Sequence, residues 1–433
     1  MKVGVVSLGC VKNQVDTEQM IYLLLGEGYE QTSDAREADI ILVNTCGFIE
    51  SAKQESIDAI LDMARMKQEG RCRVLCVTGC LAQRYAKELL ADIPEIDCLL
   101  GVGQYAHLPD MLRQALDGER PSDTGRSSGF LECGRVLTTP PYTAYIKIGD
   151  GCDNRCTFCA IPLIRGSYRS RPREAILDEM RALAARGARE QILIAQDTTR
   201  YGRDTGDTLA SLLREAARID GIDWLRVLYM YPDEVTGELL ETMAAEEKIV
   251  PYLDLPLQHA SQPLLRKMNR RGGMRETRDL LRRARDMGFC LRTTFIVGFP
   301  GETDADFEEL MAFTRETAFD RMGAFVYSPE EDTPAAAMPD QVPEDVARAR
   351  LDRLMTLQAG ISLQRNRDRV GSVCRVLVTG REGGVYTGRS AFEAPDADGI
   401  IRFTAGTPLT PGTFADVRLT GADTYDLKGE ALT

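Results

Sequence analysis

A three-part α/β protein is expected from this sequence: an N-terminal parallel α/β domain, a partial (β/α)6 barrel, and a small C-terminal antiparallel β-barrel. Three observations carry that expectation. Short β-branched runs alternate with amphipathic stretches from residue 1 to about residue 335. A polar stretch containing Gly and Pro, "DGERPSDTGRSSGFLECGR", interrupts the alternation once. Past about residue 370 the chain turns to Thr- and Gly-rich alternating runs. The expected domains are therefore 1–120, a linker at 121–137, 138–366 and 367–433.

In the first domain the runs "KVGVVSLG", "ADIILVNT", "RVLCVTG" and "DCLLGVG" read as strands. The first three precede "TEQMIYLLLGEG", "SAKQESIDAILDMARMKQEG" and "QRYAKELLADI", which read as helices, so four β/α units predict a parallel sheet under helices. The second domain has six strand candidates: "YTAYIKIG", "EQILIAQ", "LRVLYMY", "YLDLPLQ", "LRTTFIVG" and "GAFVYS". Six units are two short of a full barrel, which predicts an open one with its site in the loops at the C-terminal strand ends. After the long helical stretch "PEDVARARLDRLMTLQAGISLQRN", the runs "VCRVLVTG", "GIIRFTA" and "FADVRLTG" predict the small barrel.

Composition is that of an ordinary globular chain, with 43% hydrophobic and 27% charged residues among 433. No apolar run is long enough for a membrane span, and the start lacks a signal-peptide pattern, so a cytoplasmic protein without membrane contact is expected. Twelve cysteines in a reducing compartment point to metal or redox chemistry rather than disulfides. A net charge of −13 argues against a nucleic-acid surface spread over the whole chain. The basic segment "RKMNRRGGMRETRDLLRRARD" reads as a solvated helix face.

The cysteines divide into two groups of three and six bystanders. "CDNRCTFC" places Cys152, Cys156 and Cys159 in the loop after the first barrel strand. Three thiolates in eight residues hold an iron–sulfur cluster or a zinc ion, and without a fourth neighbour one coordination position stays open. A closed zinc knob with a distant fourth ligand is the alternative. Cys10, Cys46 and Cys80 end the runs "VVSLGC", "ILVNTC" and "LCVTGC", at intervals of 36 and 34 residues. Strand ends in a parallel sheet lie about 4.8 Å apart, so three equivalent cysteines would converge on one edge. Cys72 and Cys76 share "CRVLCVTGC" with Cys80, but on a strand they diverge from it. They join Cys98, Cys133, Cys290 and Cys374 as small hydrophobes.

The C-x3-C-x2-C loop in this setting resembles the radical S-adenosylmethionine (SAM) superfamily. That resemblance implies a [4Fe-4S] cluster on Cys152, Cys156 and Cys159, whose open iron chelates SAM and whose electron cleaves it to a 5′-deoxyadenosyl radical. It also implies SAM contacts at Phe158, beside the third cysteine, and at Ile296 and Gly298 in "TTFIVGFPGET". Together, "SLGCVKNQVDTE", "NTCGFI", "TGCLAQRY", "GDGCDNRCTFCAIP", "PLQH" and the terminal barrel resemble the methylthiotransferase family over essentially the whole chain. The family implies a second [4Fe-4S] cluster on Cys10, Cys46 and Cys80, which delivers methylthio to a substrate carbon radical. It further implies a reductase as electron donor and a sulfur donor as partners.

The family's branches modify either a hypermodified tRNA adenosine or the β-carbon of an aspartate in ribosomal protein S-twelve. "SLGCVKN", "AQDTTRYG" and "YMYPDE" resemble the ribosomal-protein branch. The terminal region resembles a TRAM domain; its six Arg/Lys against eight Asp/Glu suit a basic ribosomal protein of the small subunit better than tRNA. A non-catalytic metal-binding module on the ribosome is the alternative from another class. Gln196 and Asp197 face SAM or substrate on this reading, and His259 is a hydrogen-bonded structural residue or part of the SAM pocket. The carboxylates of "SPEEDT" contact a basic substrate or are solvated.

Overall fold

A computed structural model describes residues 1–126 and 129–432; Ser127 and Ser128 of the expected linker and Thr433 of the expected third domain lie outside the described residues. The N-terminal sheet contains β1 (Lys2–Ser7), β2 (Glu30–Thr32), β3 (Ile40–Thr45), β4 (Val74–Gly79), β5 (Cys98–Leu100) and β6 (Ser122–Asp123). All pairs are parallel, in the order β2-β1-β3-β4-β5-β6. The four expected strands form the middle, and the short β2 and β6 extend the edges. The central runs are continuously apolar because both faces are covered. Ile40, Leu42, Val74 and Cys76 pack under Met20, Leu24, Leu108 and Leu112, while Ile41, Val43, Leu75 and Val77 pack under Ile60 and Leu89.

The second domain starts with β7 (Thr143–Lys147) and a two-stranded ribbon of β8 (Gly149–Asp150) and β9 (Arg169–Ser170). It continues with β10 (Glu190–Ile194), β11 (Trp224–Val227), β12 (Tyr252–Gln258), β13 (Cys290–Val297) and β14 (Arg321–Val326). The six long strands form two parallel triples, β7-β10-β11 and β12-β13-β14, joined where Leu225 bridges Ile249. β7 and β14 do not pair, so the barrel is open, as six β/α units require.

The third domain is a closed barrel of β15 (Val373–Glu382), β16 (Val385–Arg389), β17 (Ile401–Thr404), β18 (Phe414–Ala422) and β19 (Leu427–Ala431). Four of its pairings are antiparallel as expected, but β17 and β19 run parallel. Its segment 389–398 seats against the N-terminal ends of the open barrel's strands. There Arg389 and Arg226 hold the buried Glu190, Arg321 and Arg369 hold the buried Glu393, and Tyr252 donates to Asp398 at 2.6 Å. The third domain thus closes the base of the barrel and leaves the opposite, C-terminal ends for the site.

Candidate metal and cofactor site

Cys10, Cys46 and Cys80 follow β1, β3 and β4, three neighbours in the sheet. Ser7 pairs with Asn44 and Thr45 with Gly79, so the three chains leave the sheet at one level. Two glycines permit the approach. Gly79 has φ +95, and a Cβ there would lie 2.3 Å from Asn44 Oδ1 and 2.5 Å from the Thr45 carbonyl. Gly9 has φ +91, and a Cβ there would lie 2.9 Å from Cys46 Cβ. Asn13 then ties two of the strand ends together by donating to the carbonyls of Leu8 (3.1 Å) and Thr45 (2.9 Å).

The loop bearing Cys152, Cys156 and Cys159 is fixed at both ends. Cys152 N donates to Gly166 O (3.0 Å), Cys159 N to Cys156 O (3.0 Å) and Thr157 N to Met268 O (3.1 Å). All six cysteines line one cavity of about 360 Å³ between the first and second domains. Phe158, Gln196, Tyr229 and Tyr231 line it from the barrel, and Lys12 and Phe48 from the N-terminal side. Lys12 Nζ lies 3.3 Å from the centre of the Tyr229 ring, a cation–π contact across the domain boundary.

The thiols divide electrostatically. Burial pushes Cys10 up, but Lys12, Arg165 and the backbone N–H groups of Asn13 and Lys12 outweigh it and hold this thiol below its ordinary value. Burial raises Cys46, raises Cys80 to about 12 and Cys152 to about 11, and raises Cys159 strongly. Metal binding to such thiols releases their protons.

Three soft sulfur donors suit an iron–sulfur cluster or zinc. Among the described residues, no three His, Cys, Asp or Glu side chains are gathered to hold a metal ion as they stand. A tetrahedral zinc needs sulfurs only about 3.8 Å apart, from Zn–S bonds of about 2.3 Å. Thiols set around an open cavity instead leave room for a cluster, whose several irons spread its ligands, so both donor sets fit that group. Gln196 offers a further polar handle: its Nε2 donates to Asp150 (3.1 Å), while its buried Oε1 has no partner among the described residues.

Ile296 and Gly298 lie outside the cavity lining. Ile296 shares an apolar cluster with Phe158, Phe299 and Met268. A Cβ on Gly298 (φ +73) would lie 2.4 Å from Ala347 Cβ, so close packing of the helix Glu344–Arg367 already accounts for that glycine. His259 is fully buried and lies outside the cavity lining; its Nδ1 accepts from Ser261 N at 3.0 Å and its Nε2 lies 3.8 Å from Glu302. Asp197 is also buried, and it accepts from Asn154 (2.7 Å) and Thr199 (2.5 Å).

Neither reading of "SPEEDT" describes Glu330. It is 1% exposed and receives Glu50 N (3.1 Å), Lys53 (3.2 Å) and Arg84 (3.4 Å), clasping the N-terminal domain to the barrel. Sequence reasoning also passed over Lys12, Asn13, Asp16, Arg165 and Arg270. The first three follow Cys10 directly in "CVKNQVD", and all three are buried. A polar helix start next to a metal-type cysteine was the available signal.

Residues 2–101 match the uncharacterized protein family UPF0004, residues 146–314 the Radical SAM superfamily and residues 370–432 the TRAM domain. The chain is 52% identical, over 100% of its length and 97% of the relative's, to the ribosomal protein uS12 methylthiotransferase RimO of Desulforudis audaxviator. It is 51% identical to the protein of that name from Pelotomaculum thermopropionicum, covering 100% and 99% of the two chains. For the one from Geobacter sulfurreducens the values are 48%, 100% and 99%. Among solved structures, the radical S-adenosylmethionine methyltransferase TsrM from Kitasatospora setae, with cobalamin and a [4Fe-4S] cluster bound, aligns with a TM-score of 0.58 at 15% identity. It covers 89% of this chain and 80% of that one, a likeness of fold.

Proposed function

This chain belongs to the radical SAM methylthiotransferases of the uS12 (RimO) family, and from that premise we propose that it methylthiolates the β-carbon of an aspartate in small-subunit ribosomal protein uS12. The observation that carries the reading is that two separate three-cysteine sets face one cavity. We assign Cys152, Cys156 and Cys159 to the SAM-cleaving [4Fe-4S] cluster and Cys10, Cys46 and Cys80 to a second one. When bound, the first cluster supplies the electron that splits SAM, and the second supplies the sulfur that is transferred.

The chain's own residues position and shield. Phe158 and Gln196 line the cavity beside the barrel cysteines and are assigned to SAM, with Ile296 behind Phe158 and Gly298 at the end of the same strand. Arg270 stacks 3.8 Å from the centre of the Tyr231 ring and donates to Cys156 Sγ at 3.8 Å, which fixes it beside the barrel cysteines. Phe48, Tyr229 and Tyr231 supply aromatic walls to the space between the two sets. The domains 1–120, 138–366 and 367–433 are assigned the second cluster, the SAM chemistry and the closing of the barrel base.

The net charge of −13 suits a basic protein substrate. A reductase and a sulfur donor complete the partners, and the cytoplasm, where ribosomes are modified, is the assigned location. No helix among the described residues is long and apolar enough to cross a membrane. The test is mass spectrometry of ribosomal proteins and tRNA from cells with and without this gene. The proposal expects the methylthio group to vanish from uS12; its loss from tRNA alone would overturn the substrate.

A further inference from the structure

A buried ion network stands between the two cysteine sets, centred on Arg165. This residue ends the short helix Ile161–Arg165 that follows Cys159, and its side chain is 2% exposed. Nη1 donates to both Asp150 oxygens (3.1 Å each). Nη2 reaches Asn13 Oδ1 (2.7 Å), Asp16 Oδ2 (3.1 Å) and Cys80 Sγ (3.7 Å). Lys147 also pairs with Asp16 and, at 3.8 Å, with Asp150. Two cations thus meet two carboxylates, and the network is neutral without help from a sulfur.

The network reaches both sets. Asp150 accepts from Gly151 N (2.9 Å), next to Cys152, and Cys152 N donates to Gly166 O, next to Arg165. On the other side Arg165 grips Asn13, which holds the strand ends before Cys10 and Cys46, and it touches Cys80 directly. Among the described residues, no other guanidinium touches one cysteine set while anchored in the loop of the other. An arginine cannot shed its charge, so its N–H···S contact persists at every working pH.

We propose that Arg165 is a positioning residue that fixes the N-terminal cysteine set against the SAM loop and, through its hydrogen bond to Cys80, raises the reduction potential of the cluster that set carries. With its charge balanced by the two aspartates, Arg165 acts through the hydrogen bond itself, and hydrogen bonds to cluster sulfurs favour the more negative, reduced form. The inference rests on the proposed second cluster.

The test uses the full reconstituted chain as wild type, Arg165→Lys, Arg165→Gln and Arg135→Gln. Arg135 bridges Glu18 (3.4 Å) and Glu179 (2.7 Å) across the same domain boundary and, among the described residues, donates to no cysteine sulfur. Redox titration followed by electron paramagnetic resonance reads each cluster's potential. Iron counts and the ratio of 5′-deoxyadenosine to methylthiolated uS12 peptide are read alongside.

Arg165→Gln is expected to lower the N-terminal cluster's reduced-to-oxidised ratio about tenfold at fixed potential, about 59 mV for one electron. It should raise the 5′-deoxyadenosine-to-product ratio about tenfold while the SAM cluster's potential stays put. Arg165→Lys should shift both less, and Arg135→Gln neither. If Arg165→Gln fails to hold the N-terminal iron, the Arg165→Lys shift decides. Two clusters whose potentials and coupling ignore Arg165, or follow Arg135 equally, overturn this inference alone. A wild-type chain with one cluster overturns the two-cluster reading with it.

Discussion

Substituting Gly79 by Ala tests how the N-terminal set is assembled. Gly79 ends β4 at φ 95 and ψ −160, a region that is essentially glycine-only, and holding alanine there costs about 1–3 kcal/mol. The added Cβ would meet the Thr45 carbonyl at 2.5 Å and the Thr45 nitrogen at 2.7 Å. These are backbone atoms paired in register with Gly79 itself, so no side chain can swing aside. Relieving the overlap adds about 1–3 kcal/mol. The sum, about 2–6 kcal/mol, is a large part of the 5–15 kcal/mol that holds a typical domain, and the strain falls between Cys46 and Cys80. The assay is urea unfolding of the apo chain with iron counting after reconstitution, with Gly26→Ala as control because a Cβ there meets nothing within 4 Å. Gly79→Ala should lower the first unfolding midpoint and lose the N-terminal iron while SAM cleavage persists; Gly26→Ala should do neither. Full iron and an unchanged midpoint in Gly79→Ala would refute the claim that glycine lets these strand ends meet.

Other outcomes follow from the same geometry. Burial pushes Glu393 up, yet Arg369 and Arg321 hold it at about 2 against an ordinary 4.5. That depression stabilises the chain above pH 4.5 by about 3 kcal/mol, lost as pH falls toward 2. Melting of the apo chain from pH 7 to 3 should therefore drop less steeply in Glu393→Gln, which starts lower. Glu330→Gln removes a buried charge shared by Lys53 and Arg84 and should cost about 3 kcal/mol in a thermal melt. A melt within error of wild type would deny the clasp. Phe158→Ala should raise the KM for SAM about tenfold in the cleavage assay, from the loss of about 1.5 kcal/mol of aromatic contact. An unchanged KM would remove Phe158 from the SAM pocket.

The six cavity cysteines were legible because local chemistry marks them. β-branched runs that break at a cysteine give both the strand and its end, and "CDNRCTFC" is compact enough to need no tertiary information. The same logic separates Cys76, inside β4, from Cys80, just past it. Asn13, Asp16 and Arg165 were not legible, because polar side chains read as solvated until two domains bury them against each other. Glu330 misled for the same reason, since its partners Glu50 and Lys53 lie some 280 residues away in sequence. Gly298 carries a second constraint that sequence could not show: its φ of +73 and a packed helix, through Ala347, both call for glycine there. The parallel β17–β19 pair was invisible because alternation reports a strand's faces but not the direction of its neighbour.

The most direct measurement is iron per chain together with SAM cleavage, in wild type and in the chain with Cys10, Cys46 and Cys80 all replaced by alanine. Two [4Fe-4S] clusters predict about eight irons falling to about four, with 5′-deoxyadenosine still formed and no methylthiolated uS12. About four irons in both proteins, or loss of SAM cleavage along with the N-terminal iron, would contradict two separate clusters facing one cavity.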